Sequence, residues 1–300
     1  MTGFTAAQVP DQSGRTFLVT GANTGIGFEV TRVLAARGGR VLLGCRSEER
    51  AGEAIARIAA ETPGADLAWL PLDLADLASV RRAADLASQE ARLDVLVNNA
   101  GVMAAPLIRT AQGFELQMGV NHLGPFALTG LLLPKLAEAP APRVVVTASL
   151  AHKRGNIDFD DLQAERGGNR LQRYADSKLA NMLHFTELDA RLRAAGSPIK
   201  AIGCHPGVAA TEVMRHLGLL RVFTPVLSLV LNSAEKGAWP ALQAATDPAV
   251  QGGDYVGSLA LGEMRGPSGH ATRTVRSRRE DLRTRLWDVS VALTGVDPGI

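Results

Sequence analysis

Three hundred residues, 46% of them hydrophobic and 21% charged, follow ordinary globular usage and suit one large α/β domain with a sizeable core. A net charge of +2, from 32 Lys and Arg against 30 Asp and Glu, gives no electrostatic ground for nucleic-acid binding. Met1 to Arg15 holds no signal-peptide segment, and the longest apolar stretch, Leu217–Leu231, is too short and too interrupted to span a bilayer, so a cytoplasmic protein is expected.

Thr16–Thr20 reads as a strand and Gly25–Arg37 as a helix, followed by a strand over Arg40–Cys45 and a helix over Glu48–Glu61. Leu67–Leu72 and Asp94–Val97 continue the strands, with a helix over Leu77–Glu90 between them. Arg143–Thr147 and Ile199–Gly203 follow, separated by a helix from about Leu171 to Ala195. This alternation predicts a doubly wound α/β fold, a parallel sheet with helices on both faces. No internal repeat or low-complexity linker divides the chain, so residues 1–300 form a single domain. Residues 211–233 break the rhythm just after a strand end, where ligands bind in such sheets. They are expected to form a substrate lid that excludes water, in preference to a membrane-surface helix.

Cys45 and Cys204 lie far apart in apolar runs and read as buried, reduced thiols without metal spacing. His122 and His205 lack metal-ligand company and read as satisfied structural histidines. Met103, Met118, Met182 and Met214 either line an apolar substrate pocket or fill the core, with core filling the default for most of them, and Trp239 and Trp287 read as packing residues. The arginines from Arg273 to Arg285, interrupted by Glu280 and Asp281, read as a solvated helix face.

The first strand runs into Gly21-Ala22-Asn23-Thr24-Gly25-Ile26-Gly27, which opens a helix. Glycines there permit a tight turn and let backbone approach a pyrophosphate at the helix N-terminus. The spacing G-x-x-x-G-x-G departs from the G-x-G-x-x-G fingerprint, and alone it also suits a plain strand-to-helix corner. At the end of the second strand, a carboxylate would bind the ribose 2′-hydroxyl of NAD, whereas this chain has Cys45-Arg46. A guanidinium pairs with a 2′-phosphate, so NADP(H) is expected over NAD(H). Asp73 and Leu74 end the third strand, within reach of an adenine, and Asn99, Ala100 and Gly101 follow the fourth. Tyr174 and Lys178 stand four apart, on one helix face. A phenol titrates near about 10, and a neighbouring ammonium lowers that value toward a useful acid/base range.

Together TGANTGIG (20–27), DL (73–74), NNAG (98–101), the Asn of VNHLGPF (120–126), Ser149, YADSK (174–178) and HPGVAAT (205–211) resemble the short-chain dehydrogenase/reductase family, over nearly the whole chain. The resemblance implies a sheet of about seven parallel strands and a catalytic tetrad of Asn121, Ser149, Tyr174 and Lys178. In it Ser149 binds the substrate oxygen, Lys178 holds the nicotinamide ribose, and Asn121 holds a water that relays protons. It also implies that Pro206, Gly207 and Val208 line the nicotinamide, while Thr211 reaches the pyrophosphate or carboxamide.

GFELQMGVNHLGPF (113–126), ASLAHKRG (148–155), DSKLANMLH (176–184) and RLWDVSVALTGV (285–296) resemble the retinol dehydrogenase and WW-domain oxidoreductase-like branch. The long gap from Ser149 to Tyr174 is shared with that branch. No hydrophobic anchor or WW domain precedes the catalytic motifs here, and Tyr255-Val256-Gly257 replaces a more aromatic stretch. The function implied is NADP(H)-dependent interconversion of a carbonyl and an alcohol on an apolar small molecule. Homo-oligomers of dimeric or tetrameric type occur in the family, and the oligomeric state stays open. The alternatives are C=C reduction in the manner of protochlorophyllide reductase, which YADSK also resembles, and a nucleotide-sensing regulatory protein, against which the complete tetrad argues.

Overall fold

Short runs rich in Val, Leu and Ile, each bounded by turn residues, become the central strands, which helices cover on both faces. In a computed structural model, residues 3–208 and 232–300 are described. The strands are β1 Thr16–Thr20, β2 Arg40–Cys45, β3 Leu67–Pro71, β4 Val95–Asn98, β5 Arg143–Thr147, β6 Lys200–His205, β7 Tyr255–Ala260 and β8 Arg265–His270. They form one sheet in the order β3-β2-β1-β4-β5-β6-β7-β8. Pairing from β3 through β7 is parallel, whereas β8 runs antiparallel to β7. The expected parallel sheet is thus present, with one antiparallel edge strand added.

The main helices are α1 Gly25–Ala36, α2 Glu48–Glu61, α3 Leu77–Ser88, α4 Gly124–Ala137, α5 Arg170–Ala194, α6 Ala234–Thr246 and α7 Glu280–Thr294. Side chains that accept amide N–H bonds set where several begin: Ser47 for α2, Asp76 for α3, Asn169 for α5 and Ser233 for α6. Left-handed Gly295 ends α7. None of the helices among the described residues is long and apolar enough to cross a membrane.

Alternation along the strands divides the core in two. Leu18 and Leu96 point to the layer holding α3, α4, α5 and α7, where Phe126, Leu183 and Trp287 pack. Phe17, Val19, Val95 and Val97 point to the opposite layer, against Val30, Leu34 and Leu242 of α1 and α6. Chain direction reverses between β1, which leads outward to β2 and β3, and β4, which leads to β5 and β6. Such a switch point opens a crevice at the carboxyl ends of the strands. Met118, Met182 and Trp287 are buried as expected, Cys45 and Cys204 are buried free thiols, and Trp239 packs partly buried against the core.

The C-terminal arginines are not simply a solvated face. Arg273 lies over the Phe185 ring at 4.7 Å and Arg285 over Phe159 at 4.5 Å. Arg283 pairs with Glu187 at 3.3 Å, and Arg276 donates to the Gly155 carbonyl. Their cationic heads pin the last helix and the segment before it onto α5 and its neighbours.

Candidate active site

The crevice is a cleft of about 550 Å³, and every sequence candidate from Gly21 to Gly101 lines it, with Tyr174, Lys178 and Pro206. Gly21 (φ +66°) and Gly25 (φ +58°) adopt the left-handed conformation that L side chains avoid. A Cβ on Gly27 would stand 2.3 Å from the Gly21 carbonyl oxygen. That close turn carries the chain directly into the unpaired amides at the start of α1, a place suited to an anion. Behind it Thr20 Oγ1 accepts from the amides of Asn99 and Ala100, both at 3.0 Å, and Asn99 Nδ2 donates to the Thr20 carbonyl at 2.9 Å. Asn99 therefore locks the ends of β1 and β4 together, and its side chain is a brace for the cleft wall.

Arg46, exposed at the end of β2, lines the same cleft beside Ser47 and Arg50. Arg50 was not singled out from the sequence; its signal was the spacing of four from Arg46 across a capped helix start. A second cation at this corner strengthens its anion-binding character. Asp73 and Leu74 stand on the wall beyond. Gly207 and Val208 are not among the lining residues: Gly207 takes φ +73°, and the Val208 amide donates to the Met264 carbonyl at 2.8 Å. Thr211, Met214 and most of the expected lid at 211–233 lie outside the described residues; only Asn232 and Ser233 of that stretch are described.

Asn232 is a further residue that no motif or local spacing marks. Its buried amide donates to the Pro206 carbonyl at 2.8 Å and to Ser258 Oγ at 2.9 Å, and its backbone N–H donates to Val208. It thereby ties the Pro206-Gly207 turn to the sheet.

At the other end, α5 buries Tyr174 and Lys178 on one face. The Lys178 ammonium lies 5.7 Å from the Tyr174 ring centroid and donates to the Thr147 carbonyl at 3.1 Å. A side chain on Gly101 would approach Asn121 Oδ1 to 3.2 Å and Lys178 Nζ to 3.3 Å, so the three positions converge. Asn121 sits in a π turn, Gly119–Leu123, ahead of α4, a local widening of the helix common at functional sites. Its amide donates to the Val102 carbonyl and Ser177 Oγ, both at 2.9 Å, and its oxygen accepts from the Val102 amide at 2.7 Å. Ser177 in turn donates to the Tyr174 carbonyl at 2.8 Å, which fixes the π turn to the helix carrying Tyr174. Ser149 caps the short helical turn Leu150–Arg154 by accepting from the Ala151 amide at 3.2 Å, which leaves its hydroxyl proton to donate. Asn121 is buried and Ser149 half-buried, and neither is among the residues that line the cleft.

Between these ends the wall is apolar, made by Val102, Met103, Ala105, Leu116 and Val120. Met103 thus faces the cleft and does not fill the core. Nor are His122 and His205 fully satisfied. His122 Nε2 bonds Ser290 Oγ at 2.8 Å, and His205 Nδ1 accepts from the Gly207 amide at 3.1 Å, while the other ring nitrogen of each is buried without a partner among the described residues. Burial pushes the His122 pKa well below its usual value and that of His205 down to about 4. Among the described residues no group of three His, Cys, Asp or Glu could hold a metal ion.

Residues 15–219 match the family model described as short chain dehydrogenase. The chain is similar to human Retinol dehydrogenase 13, 41% identical over 294 residues that cover 95% of this chain and 86% of that protein. Human Retinol dehydrogenase 11 is 40% identical, over 94% of this chain and 86% of its own. Among solved structures, a putative uncharacterized protein from Mycobacterium Paratuberculosis matches with a TM-score of 0.83 and 38% identity, over 100% of both chains. A Pseudomonas aeruginosa RhlG/NADP active-site complex matches with a TM-score of 0.64 and 28% identity, over 81% of this chain and 94% of that one.

Proposed function

Since the chain belongs to the short-chain dehydrogenase family, in a branch with the retinol dehydrogenases, and is an oxidoreductase acting on CH–OH donors, we propose that it uses NADP(H) to interconvert a carbonyl and an alcohol on an apolar small molecule. One observation carries this reading: a single cleft runs from the glycine turn and Arg46 to Tyr174 and Lys178, with an apolar wall between. The cradle fits a dinucleotide, because Gly21 and Gly27 hold backbone where a Cβ would crowd the turn, Gly25 holds a left-handed φ, and no carboxylate stands where β2 ends. The glycine turn would hold the pyrophosphate, Arg46 and Arg50 a 2′-phosphate, and Lys178 the nicotinamide ribose. When bound, the reduced nicotinamide supplies hydride to the carbonyl carbon.

The protein's own contribution is to hold the substrate and manage the proton. Ser149 and Tyr174 donate hydrogen bonds to the carbonyl oxygen, which polarises it. As negative charge grows on that oxygen, the Tyr174 hydroxyl delivers its proton, and the Lys178 ammonium stabilises the phenolate left behind. In the alcohol-oxidising direction the phenolate takes the proton back. Asn121 keeps the π turn and α5 in register for this exchange, and the apolar wall excludes water from the reacting centre.

The test is purified protein with NADPH or NADH against aldehydes, quinones, steroid ketones and retinal, beside Tyr174→Phe. Turnover is expected with NADPH, falling about 10²–10⁴-fold in the variant while NADPH still binds. Near-wild-type turnover by Tyr174→Phe would falsify the acid/base assignment.

A further inference from the structure

Beyond the cleft, a chain of polar side chains joins the serine turn to the Pro206-Gly207 turn through the β7–β8 hairpin. Lys153, on the short helical turn that Ser149 caps, donates to Glu263 Oε2 at 2.8 Å and to Thr272 Oγ1 at 3.2 Å. Glu263 Oε1 accepts from the Thr272 amide at 2.7 Å. The same Oε2 that accepts from Lys153 lies 3.9 Å from His205 Nε2, and His205 immediately precedes Pro206-Gly207. Glu263 is thus aimed at both turns at once.

The hydrogen-bond pattern assigns each ring's tautomer. His205 Nδ1 accepts from the Gly207 amide, so the neutral ring carries its proton on Nε2. Burial keeps this ring neutral, its pKa pushed down to about 4. The Nε2–H is therefore an obligatory donor, fully buried, with no acceptor in hydrogen-bond range among the described residues. The Glu263 carboxylate is the acceptor it faces, and an approach of about 1 Å would complete a charge-assisted bond. His152 takes the opposite tautomer: its Nδ1 donates to the Ser149 carbonyl at 2.6 Å, holding the serine's own peptide. Tyr255 packs between the two histidine rings, at centroid distances of 5.7 and 5.3 Å.

Two backbone features serve this arrangement. Leu261, Gly262 and Glu263 take φ of +49°, +64° and +69° in succession, sparsely populated for the two L residues and kept only where the surroundings demand it. On β7, a Cβ at Gly257 would lie 1.9 Å from His205 Nε2, so only glycine leaves the ring its place.

We propose that Glu263 is a positioning residue for hydride transfer, holding the serine turn through Lys153 and the Pro206-Gly207 turn through His205 at one fixed separation. The proposal rests on the proposed role of Ser149 at the substrate oxygen and on Pro206 lining the cofactor cleft. Loss of the strut loosens the alignment of substrate and cofactor, to which a transfer step is far more sensitive than binding is.

Glu263→Ala, Glu263→Gln and Lys153→Met test it, each compared with wild type for kcat and KM on retinal and a quinone and for NADPH affinity by titration. In Glu263→Ala, kcat is expected to fall about 10–100-fold, with NADPH affinity within about twofold. Glu263→Gln, which keeps an acceptor for the Thr272 amide or the His205 ring, should recover part of that loss. Lys153→Met should lower kcat comparably, and the double variant should be little worse than either single one. Independently of any substrate, imidazole ¹⁵N spectra should show His205 protonated on Nε2, with a signal that moves in Glu263→Ala. Unchanged kcat in Glu263→Ala, equal losses in kcat and NADPH affinity, or a His205 ring protonated on Nδ1 would each overturn the proposal. Retained turnover in Tyr174→Phe sinks only the acid/base assignment, because the strut is measured with Tyr174 intact.

Discussion

Where β2 ends, one side chain decides between two cofactors that differ by a single phosphate, because a carboxylate there repels it and a guanidinium pairs with it. Arg46 and Arg50 both line the cleft at this corner, one on the strand end and one on the first turn of α2. A bond from a charged donor contributes about 1.5–3 kcal/mol, so removing either arginine should weaken NADPH about 10–100-fold. NADH carries no 2′-phosphate and should change little. Titrations of both nucleotides with Arg46→Ala and Arg50→Ala, at one fixed ionic strength since exposed charges are screened, check this. Equal weakening of NADPH and NADH would remove both arginines from the phosphate's neighbourhood. Arg46 was legible in the sequence because it replaces an expected carboxylate at a countable distance from the glycine turn. Asn232 and Glu263 were not, since each acts on partners tens of residues away, such as Pro206 and Lys153, and no local spacing announces such a pair.

Elements divide along the same line. β1 to β6 are apolar runs between turn residues, and their sites agree with expectation to within two residues at every end. β7 and β8 escaped, and the composition of β8, Arg265-Gly-Pro-Ser-Gly-His, explains why: nothing in it favours a strand. It exists as an antiparallel edge on β7, where proline is tolerated, and tertiary pairing overrides propensity. The arginines of the C-terminal segment read as a solvated face and Trp287 as packing, yet the inner side of α7 also reaches the π turn that carries Asn121. Ser290 Oγ donates to the Leu286 carbonyl at 2.7 Å and so must accept from His122 Nε2–H, 2.8 Å away. Ser290→Ala would leave that buried donor unpaired, at a cost of about 1–3 kcal/mol. A lower midpoint in urea with an unchanged m-value is the expected result, and an unshifted midpoint would show that α7 does not depend on this contact.

For the molecule as a whole, several histidines buried in the neutral form make stability depend on pH. His184 has both ring nitrogens buried without partners among the described residues, and burial pushes its pKa from 6.5 to about 4; His205 is likewise pushed from 6.5 to about 4. Both folded values are depressed, so above about 6.5 neither state takes up the proton. As pH falls from 6.5 toward 4 the unfolded chain binds protons that the folded one refuses, and stability is lost through that window. A fall from 6.5 to about 4 is on the order of 3 kcal/mol for each ring, before the surroundings relax. His122, depressed well below 6.5 by burial and by His184 beside it, acts in the same direction. Asp176 and Asp189 act in the opposite direction, because burial raises their pKa values. The urea midpoint should therefore be level near pH 7 and fall steeply between pH 6.5 and 4. His184→Phe separates this origin from general acid unfolding. Its ring would join Phe126 and Trp287, the aromatic neighbours at 5.3 and 6.1 Å, and discard two unpaired nitrogens, so stability at pH 7 should hold or rise. The pH dependence should flatten by the share of one proton. The same slope in the variant would mean that His184 charges in place without unfolding the protein, and the burial of that layer would have to admit water.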